Sequence, residues 1–482
     1  MAAAGSAIGL GSLWRFPYMV GQNGGGIFVL FYIAFTFVIA LPIFMAEILV
    51  GRHTQKSAVD AYYELGNHSS NWRIFGWFNV ITSFLILSYY CIVSGWCLNY
   101  IFLSLSHFNI GRSAGQISRV FETLHSSGDI NLFWSFLFIL LNLGIVQSGL
   151  RKGIEHWSRI LTPALFLLFL GLFSFSLTLD GFSDAFRFVF RPDFSKLTAS
   201  SILSALGMSF YTLSVGLGIL VTYGSYMKSS EDLSRTALTV SSMTLLISLM
   251  SALIIFPITF TFGMQTSHGP GLAFQTLPTL FAQLPGTLLL STIFFLLLAF
   301  MTLTSSISLF EMIVSNLMET LLWSRKKAIL FIAAGVWILG IPSALSGSRK
   351  GLFANWSAMF GTDFFGTIDY ITGNWMLPLS ALIVTLFVGW RLQRYVVEEE
   401  FQKGSKNAWV YSIWSFLLRW ITPSAILIIL LQEGGLLDLN TLFTGKSSLL
   451  YILIAIPISL AVGIRVKRLF GKKKALIVQE EL

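Results

Sequence analysis

Thr304 and Ser305 stand side by side in the apolar run Phe300-Met301-Thr302-Leu303-Thr304-Ser305-Ser306. Two adjacent hydroxyls there offer hard oxygen ligands, which suit sodium and exclude soft metals. Taken singly, such a hydroxyl more often bonds the carbonyl four residues back on its own helix. Backbone carbonyls would have to complete a cation site, and an unbroken membrane helix has none to spare. The stretch Ala4-Gly5-Ser6-Ala7-Ile8-Gly9-Leu10-Gly11-Ser12-Leu13-Trp14-Arg15-Phe16-Pro17 can supply them. Glycine is the poorest helix former after proline. Gly5, Gly9 and Gly11 therefore predict a helix that breaks inside the membrane, freeing carbonyls at Gly5 and Ile8. Gly5 and Gly9 also fit a small-xxx-small packing face, so this stretch alone leaves both readings open.

A second stretch narrows the choice. Gly207-Met208-Ser209-Phe210-Tyr211-Thr212-Leu213-Ser214-Val215-Gly216-Leu217-Gly218 again puts glycines and hydroxyls in an apolar context. Interrupted segments at matching places in two halves mark an inverted-repeat transporter, with its site between them. Other polar side chains fit such a centre. Glu47 lies within an apolar segment shortly before Gly51-Arg52. It is expected either to accept N–H groups released by the breaks or to reach the inner interface near Arg52. Arg15 lies outward of the first break and could close a gate with Asp369, with Asp363 as a rival partner. Tyr90 adds a phenolic donor at mid-span.

These residues need a membrane framework, and composition provides one. Of 482 residues 55% are hydrophobic and only 11% charged, against roughly a quarter charged in soluble domains. The chain reads as an all-α polytopic membrane protein. A spanning helix takes about 20 apolar residues. About twelve spans are expected, near 1–20, 27–50, 75–106, 132–148, 158–179, 198–224, 236–263, 286–322, 328–343, 365–390, 410–432 and 448–466. A half-helix to mid-bilayer needs roughly 10 residues. Only four precede Gly5, so the numbering begins inside the first helix or that half-helix is absent. Residues 107–131 read as a short amphipathic loop, and 266–284 as a helical hairpin over an outer vestibule. Lys and Arg concentrate in loops after even-numbered spans and in the tail, for example Arg151, Lys152, Arg325 and Lys472. That pattern places those loops and the C-terminus in the cytoplasm. The net charge of +9 sits in these loops and does not suggest nucleic acid. Cys91 and Cys97 are six apart on one segment, face different directions and are not expected to pair.

The paired interruptions, Leu303-Thr304-Ser305-Ser306, and Arg15-Phe16-Pro17 followed by Asn23-Gly24-Gly25-Gly26 resemble the neurotransmitter:sodium symporter family in its bacterial amino-acid transporter branch. The resemblance covers nearly the whole chain. It implies a five-plus-five inverted repeat with helices one and six broken: a first repeat over 1–180, a second over 198–391, two further helices over 410–466 and a tail over 467–482. It implies a second sodium site from the carbonyls of Gly5, Ile8 and Met301 with the hydroxyls of Thr304 and Ser305. It maps a first sodium site to Ala7, Ser12, Thr212 and Thr244, where Ser12 and Thr244 replace the family's asparagines, so one sodium or two are open. The substrate's amino group would meet Ala7, Tyr211 and Thr212 or Ser214, and its carboxylate the N–H groups of Leu10 and Gly11 with the Tyr90 hydroxyl. Its side chain would meet Ile86, Tyr90, Tyr211, Ser214, Leu217, Ser305 and Leu309. Leu217 stands where an aromatic residue is frequent, which enlarges the pocket. Arg15 and Asp369 map to the outer gate and Glu319 to the inner one. Gly153 to Pro163 matches a spacing associated with inward opening. Of the family's chloride cluster Tyr32 and Ser248 match, but Met208 replaces the glutamine, which argues against chloride without excluding it.

The expected function is sodium-coupled import of neutral, hydrophobic or aromatic amino acids by alternating access. The expected location is the inner (plasma) membrane, with a homodimer left open. A proton-coupled or exchange transporter of the same fold, using Glu47 and Glu311, and a non-transporting amino-acid sensor are the rival readings. No nucleophile–base pair within the spans points to an enzyme.

Overall fold

A computed structural model describes residues 9–263, 271–348, 353–404 and 408–437. Among them nine helices are long and apolar enough to cross a membrane: Gly26–Thr54, Ser70–Leu105, Gly128–Gln147, Lys152–Ser176, Leu233–Thr261, Thr287–Thr320, Arg325–Ala344, Trp356–Arg391 and Trp409–Glu433. Each matches one expected span to within several residues, the largest shift being the earlier start at Trp356. The expected span at 448–466 and the tail 467–482 lie outside the described residues.

The interruption in the sixth expected span is explicit. A Thr198–Ser201 capping box starts the helix Ala199–Leu213, satisfying N–H groups that would otherwise be orphaned. The helix stops because Ser214 turns left-handed at φ 54°. Gly216 (φ 86°) and Gly218 (φ 73°) hold the same region, which glycine enters without a Cβ clash. A seven-residue helix, Ile219–Ser225, then resumes. Of the first expected span, Gly11–Arg15 and Phe16–Gln22 are helical, and its first eight residues lie outside the described residues. The segment 107–131 contains an amphipathic helix, Ala114–Ser126, capped by Ser113 and Gln116. Of the hairpin expected at 266–284, residues 266–270 lie outside the described residues, and the described part holds a short apolar helix, Leu272–Phe281.

The chain divides into two compact units, each drawing on both halves. One comprises Met1–Phe31, Ile81–Leu197 and Ser242–Thr372; the other Tyr32–Val80, Thr198–Ser241 and Gly373–Leu482. The first is cored by aromatic rings around Phe274. Phe121 stacks on it at 5.5 Å, Trp14 meets it edge-on at 6.1 Å, and the Tyr100 hydroxyl donates to its carbonyl at 2.8 Å. Such contacts add about 0.5–1.5 kcal/mol per pair beyond burial. In the second unit the helix Ile219–Ser225 lies directly on the end of Gly26–Thr54. A Cβ on Gly224 would stand 2.5 Å from the Ile48 carbonyl.

Candidate functional site

In the first unit three elements converge on Gly9. A Cβ built there would stand 2.7 Å from Ser305 Oγ and 3.5 Å from Tyr90 Oη. The absent side chain thus lets the main chain of the opening stretch approach a hydroxyl of Thr287–Thr320 and a phenol of Ser70–Leu105. Ser12 N–H donates to the Gly9 carbonyl at 3.0 Å, closing the turn. Leu10, Gly11, Ile86, Tyr90, Met301, Thr304, Ser305 and Leu309 are all buried. Thr304 Oγ1 donates to the Phe300 and Met301 carbonyls at 3.1 and 3.0 Å. That is the back-bonding expected of a lone helical threonine, and it leaves the oxygen's lone pairs able to meet a cation. Ser12 Oγ is buried without a hydrogen-bond partner among the described residues. An unpartnered buried hydroxyl costs about 1–3 kcal/mol, which a ligand would relieve. Thr244 is buried on Leu233–Thr261 in the same unit. Gly5, Ala7 and Ile8 lie outside the described residues.

The second unit holds the other break. Gly216 N–H donates to Glu47 Oε1 at 3.0 Å. Glu47 is fully buried, and its Oε2 has no partner among the described residues. Of the two expectations for this carboxylate, capping of freed N–H groups is the one observed, and snorkelling is not. Thr212 Oγ1 donates to the Met208 carbonyl at 2.9 Å and receives the Tyr32 hydroxyl at 3.1 Å. Tyr211 and Ser214 are half-buried and Leu217 buried. The turn 214–218 thus presents main-chain and hydroxyl groups beside a fixed carboxylate.

Arg15 and Asp369 meet in the first unit. Arg15 Nη1 stands 3.4 Å from both Asp369 oxygens, and the Tyr89 hydroxyl donates to Oδ1 at 3.1 Å. Sequence reasoning favoured Tyr90 and passed over Tyr89; one residue's rotation on a helix turns the two phenols to different tasks. The rival Asp363 is engaged elsewhere, accepting from Gly366 N–H at 2.8 Å and Ser346 Oγ at 2.7 Å.

Each unit also holds a charge cluster. Glu311, buried, pairs with Arg325, whose Nε and Nη2 also donate to the Val146 carbonyl at 3.0 and 2.9 Å. Glu311 is therefore held in an ion pair that also caps the end of Gly128–Gln147. Glu319 is exposed. Arg52, read from sequence at the inner interface, is buried: Nε donates to Glu400 Oε1 at 2.6 Å and Nη1 to the Glu231 carbonyl at 2.8 Å. His53 and Lys403 reach Glu400 Oε2 at 3.2 and 2.9 Å. Burial pushes the Glu400 carboxyl up, but hydrogen bonds from His53, Lys403 and Arg52 outweigh it and hold it at about 2.

The model of the sodium:neurotransmitter symporter family matches residues 1–110 and 111–435. A sodium-dependent transporter of Bacillus subtilis called YhdH, described as uncharacterized, is 37% identical over 91% of this chain and 96% of its own. A second, from Haemophilus influenzae, is 34% identical over 90% and 96%. The crystal structure of MhsT in complex with L-phenylalanine superposes with a TM-score of 0.82 at 36% identity, covering 89% of this chain and 96% of that one.

Proposed function

Because the chain belongs to the sodium:neurotransmitter symporter family, a family of sodium-dependent transporters and not of enzymes, we propose that it imports neutral amino acids with hydrophobic or aromatic side chains. Sodium is the coupling ion and alternating access the mechanism. The observation that carries this reading is the close approach at Gly9 of a main-chain turn, the Ser305 hydroxyl and the Tyr90 phenol. Main-chain N–H groups at a helix start favour an anion. Leu10 and Gly11 are assigned to the amino acid's carboxylate together with Tyr90. Thr304, Ser305 and the Met301 carbonyl are assigned to sodium, with Gly5 and Ile8 completing that shell.

In the second unit, Tyr211, Thr212 and Ser214 are assigned to the amino group. Leu217 is assigned to side-chain recognition, as are Ile86 and Leu309. The phenylalanine in the MhsT complex supports an apolar substrate, and aliphatic Leu217 leaves room for a large one. The unpartnered Ser12 hydroxyl supports a second sodium ion, with Ala7, Thr212 and Thr244 as its remaining ligands. Arg15 and Asp369 serve as the outer gate, Glu319 as an inner gate residue, and Glu47 as the support of the break at Gly216. The Arg325 pair argues against Glu311 as a proton carrier. The lysine and arginine distribution supports a cytoplasmic C-terminus, and the plasma membrane is the proposed location.

The test is radiolabelled phenylalanine binding to purified protein in sodium or choline, with the twenty amino acids as competitors. Binding that requires sodium and is displaced by large apolar amino acids is expected. Equal binding in choline, or displacement only by charged amino acids, rejects the reading.

A further inference from the structure

The loop at Asn23-Gly24-Gly25-Gly26 has no role in the transport reading, yet a cavity of about 500 Å³ opens beside it. Gly24, Arg187, Arg191, Asp193 and Lys196 are among its lining residues, all in the first unit. That volume lies in the range of small-ligand pockets. Its wall is built to close tolerance. A Cβ on Gly24 would stand 2.9 Å from Lys196 Cβ, one on Gly25 2.7 Å from the Phe188 carbonyl, and one on Gly26 2.5 Å from the Arg191 carbonyl. Three successive glycines let the segment that carries the cations lie main chain to main chain on the loop.

Charge on the lining is unbalanced: three cations face one carboxylate. Hydrogen bonds from Ser195 hold Asp193 below the usual carboxylate range, so it stays ionised, and Lys196 Nζ stands 3.9 Å from it. Among the described residues no carboxylate lies within ion-pair distance of Arg187 or Arg191. The Arg191 charge also acts on Asp193 at longer range, so the lining keeps an excess of two positive charges for an anion to balance, and the fork of arginine suits phosphate oxygens.

Position says which anion the cavity meets. Gly26 opens the candidate span Gly26–Thr54, and Ser176 closes Lys152–Ser176, six residues before the helix Phe182–Phe190. From Gly26 to Ser176 the chain makes four candidate crossings, so both ends lie at one membrane face. Phe186, Phe190 and Phe194 on the same segment are 49%, 41% and 65% exposed. Exposed aromatic rings interleaved with arginine and lysine at span ends are the mark of the headgroup layer.

We infer that this cavity binds the phosphate of an anionic phospholipid, with Arg187 and Arg191 on its oxygens and the three phenylalanines against the acyl boundary. Free phosphate shares the chemistry, and the test separates the two. The purified full chain is titrated with phosphatidylglycerol, phosphatidylcholine and inorganic phosphate, bound species being counted by native mass spectrometry. Phosphatidylglycerol should bind more tightly than phosphatidylcholine. In Arg187→Gln with Arg191→Gln that preference should fall roughly 25-fold, about fivefold per charge lost, while sodium-dependent phenylalanine binding is kept. Should that variant not fold, Lys196→Gln is measured instead, with a loss of roughly fivefold expected. Equal affinity for the two lipids, a preference unchanged in the foldable variant, or displacement of phosphatidylglycerol by millimolar inorganic phosphate would each overturn the assignment to a lipid.

Discussion

Arg15 Nη1 faces both oxygens of Asp369 at 3.4 Å, and 354 residues separate the pair in sequence. Both side chains are about a quarter exposed, so the pair adds little to stability, under about 1 kcal/mol. Its proposed importance is in the closed state of the transport cycle. Asp369→Ala should lower the maximal uptake rate up to about fivefold, as loss of a pair worth under about 1 kcal/mol implies. Substrate affinity should change far less. Uptake kinetics beside equilibrium binding on the same preparation check this; equal losses in both would remove the gate role.

Gly9 gives a steric test. Gly9→Ala sets a methyl 2.7 Å from Ser305 Oγ, and overpacking of this kind costs about 1–3 kcal/mol. In Gly9→Ala with Ser305→Ala the nearest Ser305 atom is Cβ at 3.5 Å, an ordinary contact. The double variant should regain thermal stability yet bind sodium weakly, because the proposed ligand is gone. Melting temperatures with and without sodium separate the two effects.

Glu47 supports the second break through Gly216. Glu47→Ala leaves that N–H buried and unpaired, a loss of about 1–3 kcal/mol. Glu47→Gln keeps an acceptor and should be milder. Thermal unfolding of both variants in detergent provides the comparison, and indistinguishable variants would contradict the hydrogen bond's role.

The Arg52–Glu400 cluster carries a pH signature. Glu400 is held at about 2 against an ordinary 4.5. A depressed carboxylate stabilises the folded state above its unfolded value, and that contribution fades as pH falls through the folded one. The stability of the wild type over Glu400→Gln should be full at pH 7, begin to shrink near pH 4.5 and vanish near pH 2. Breaking a buried pair of this kind costs roughly 3–5 kcal/mol. A gap that does not change with pH would contradict the assignment.

What sequence conveyed and what it withheld follow from the range of the forces involved. Helix length and the glycines at 216 and 218 are local properties, so the spans and the break after Leu213 could be read directly. Ser214 adopts φ 54° without being glycine, and no local rule marks it. The partner of Arg52 could not be read from sequence because Glu400 lies 348 residues away. Arg325 and Glu311 were each visible, but nothing in their spacing joined them across the turn at Leu321. Asp369 was preferred to Asp363 as the partner of Arg15 by family pattern; the structure adds the physical reason, since Ser346, Gly366 and His125 already occupy Asp363.

The central claim is that sodium drives amino acid through this chain. The direct measurement is initial uptake of radiolabelled phenylalanine into proteoliposomes, with an inward gradient of either sodium or choline. Accumulation should occur only with sodium, collapse when the gradient is dissipated, and be lost in Thr304→Ala with Ser305→Ala. Uptake that proceeds equally in choline, or follows an imposed proton gradient with sodium absent, would contradict the account.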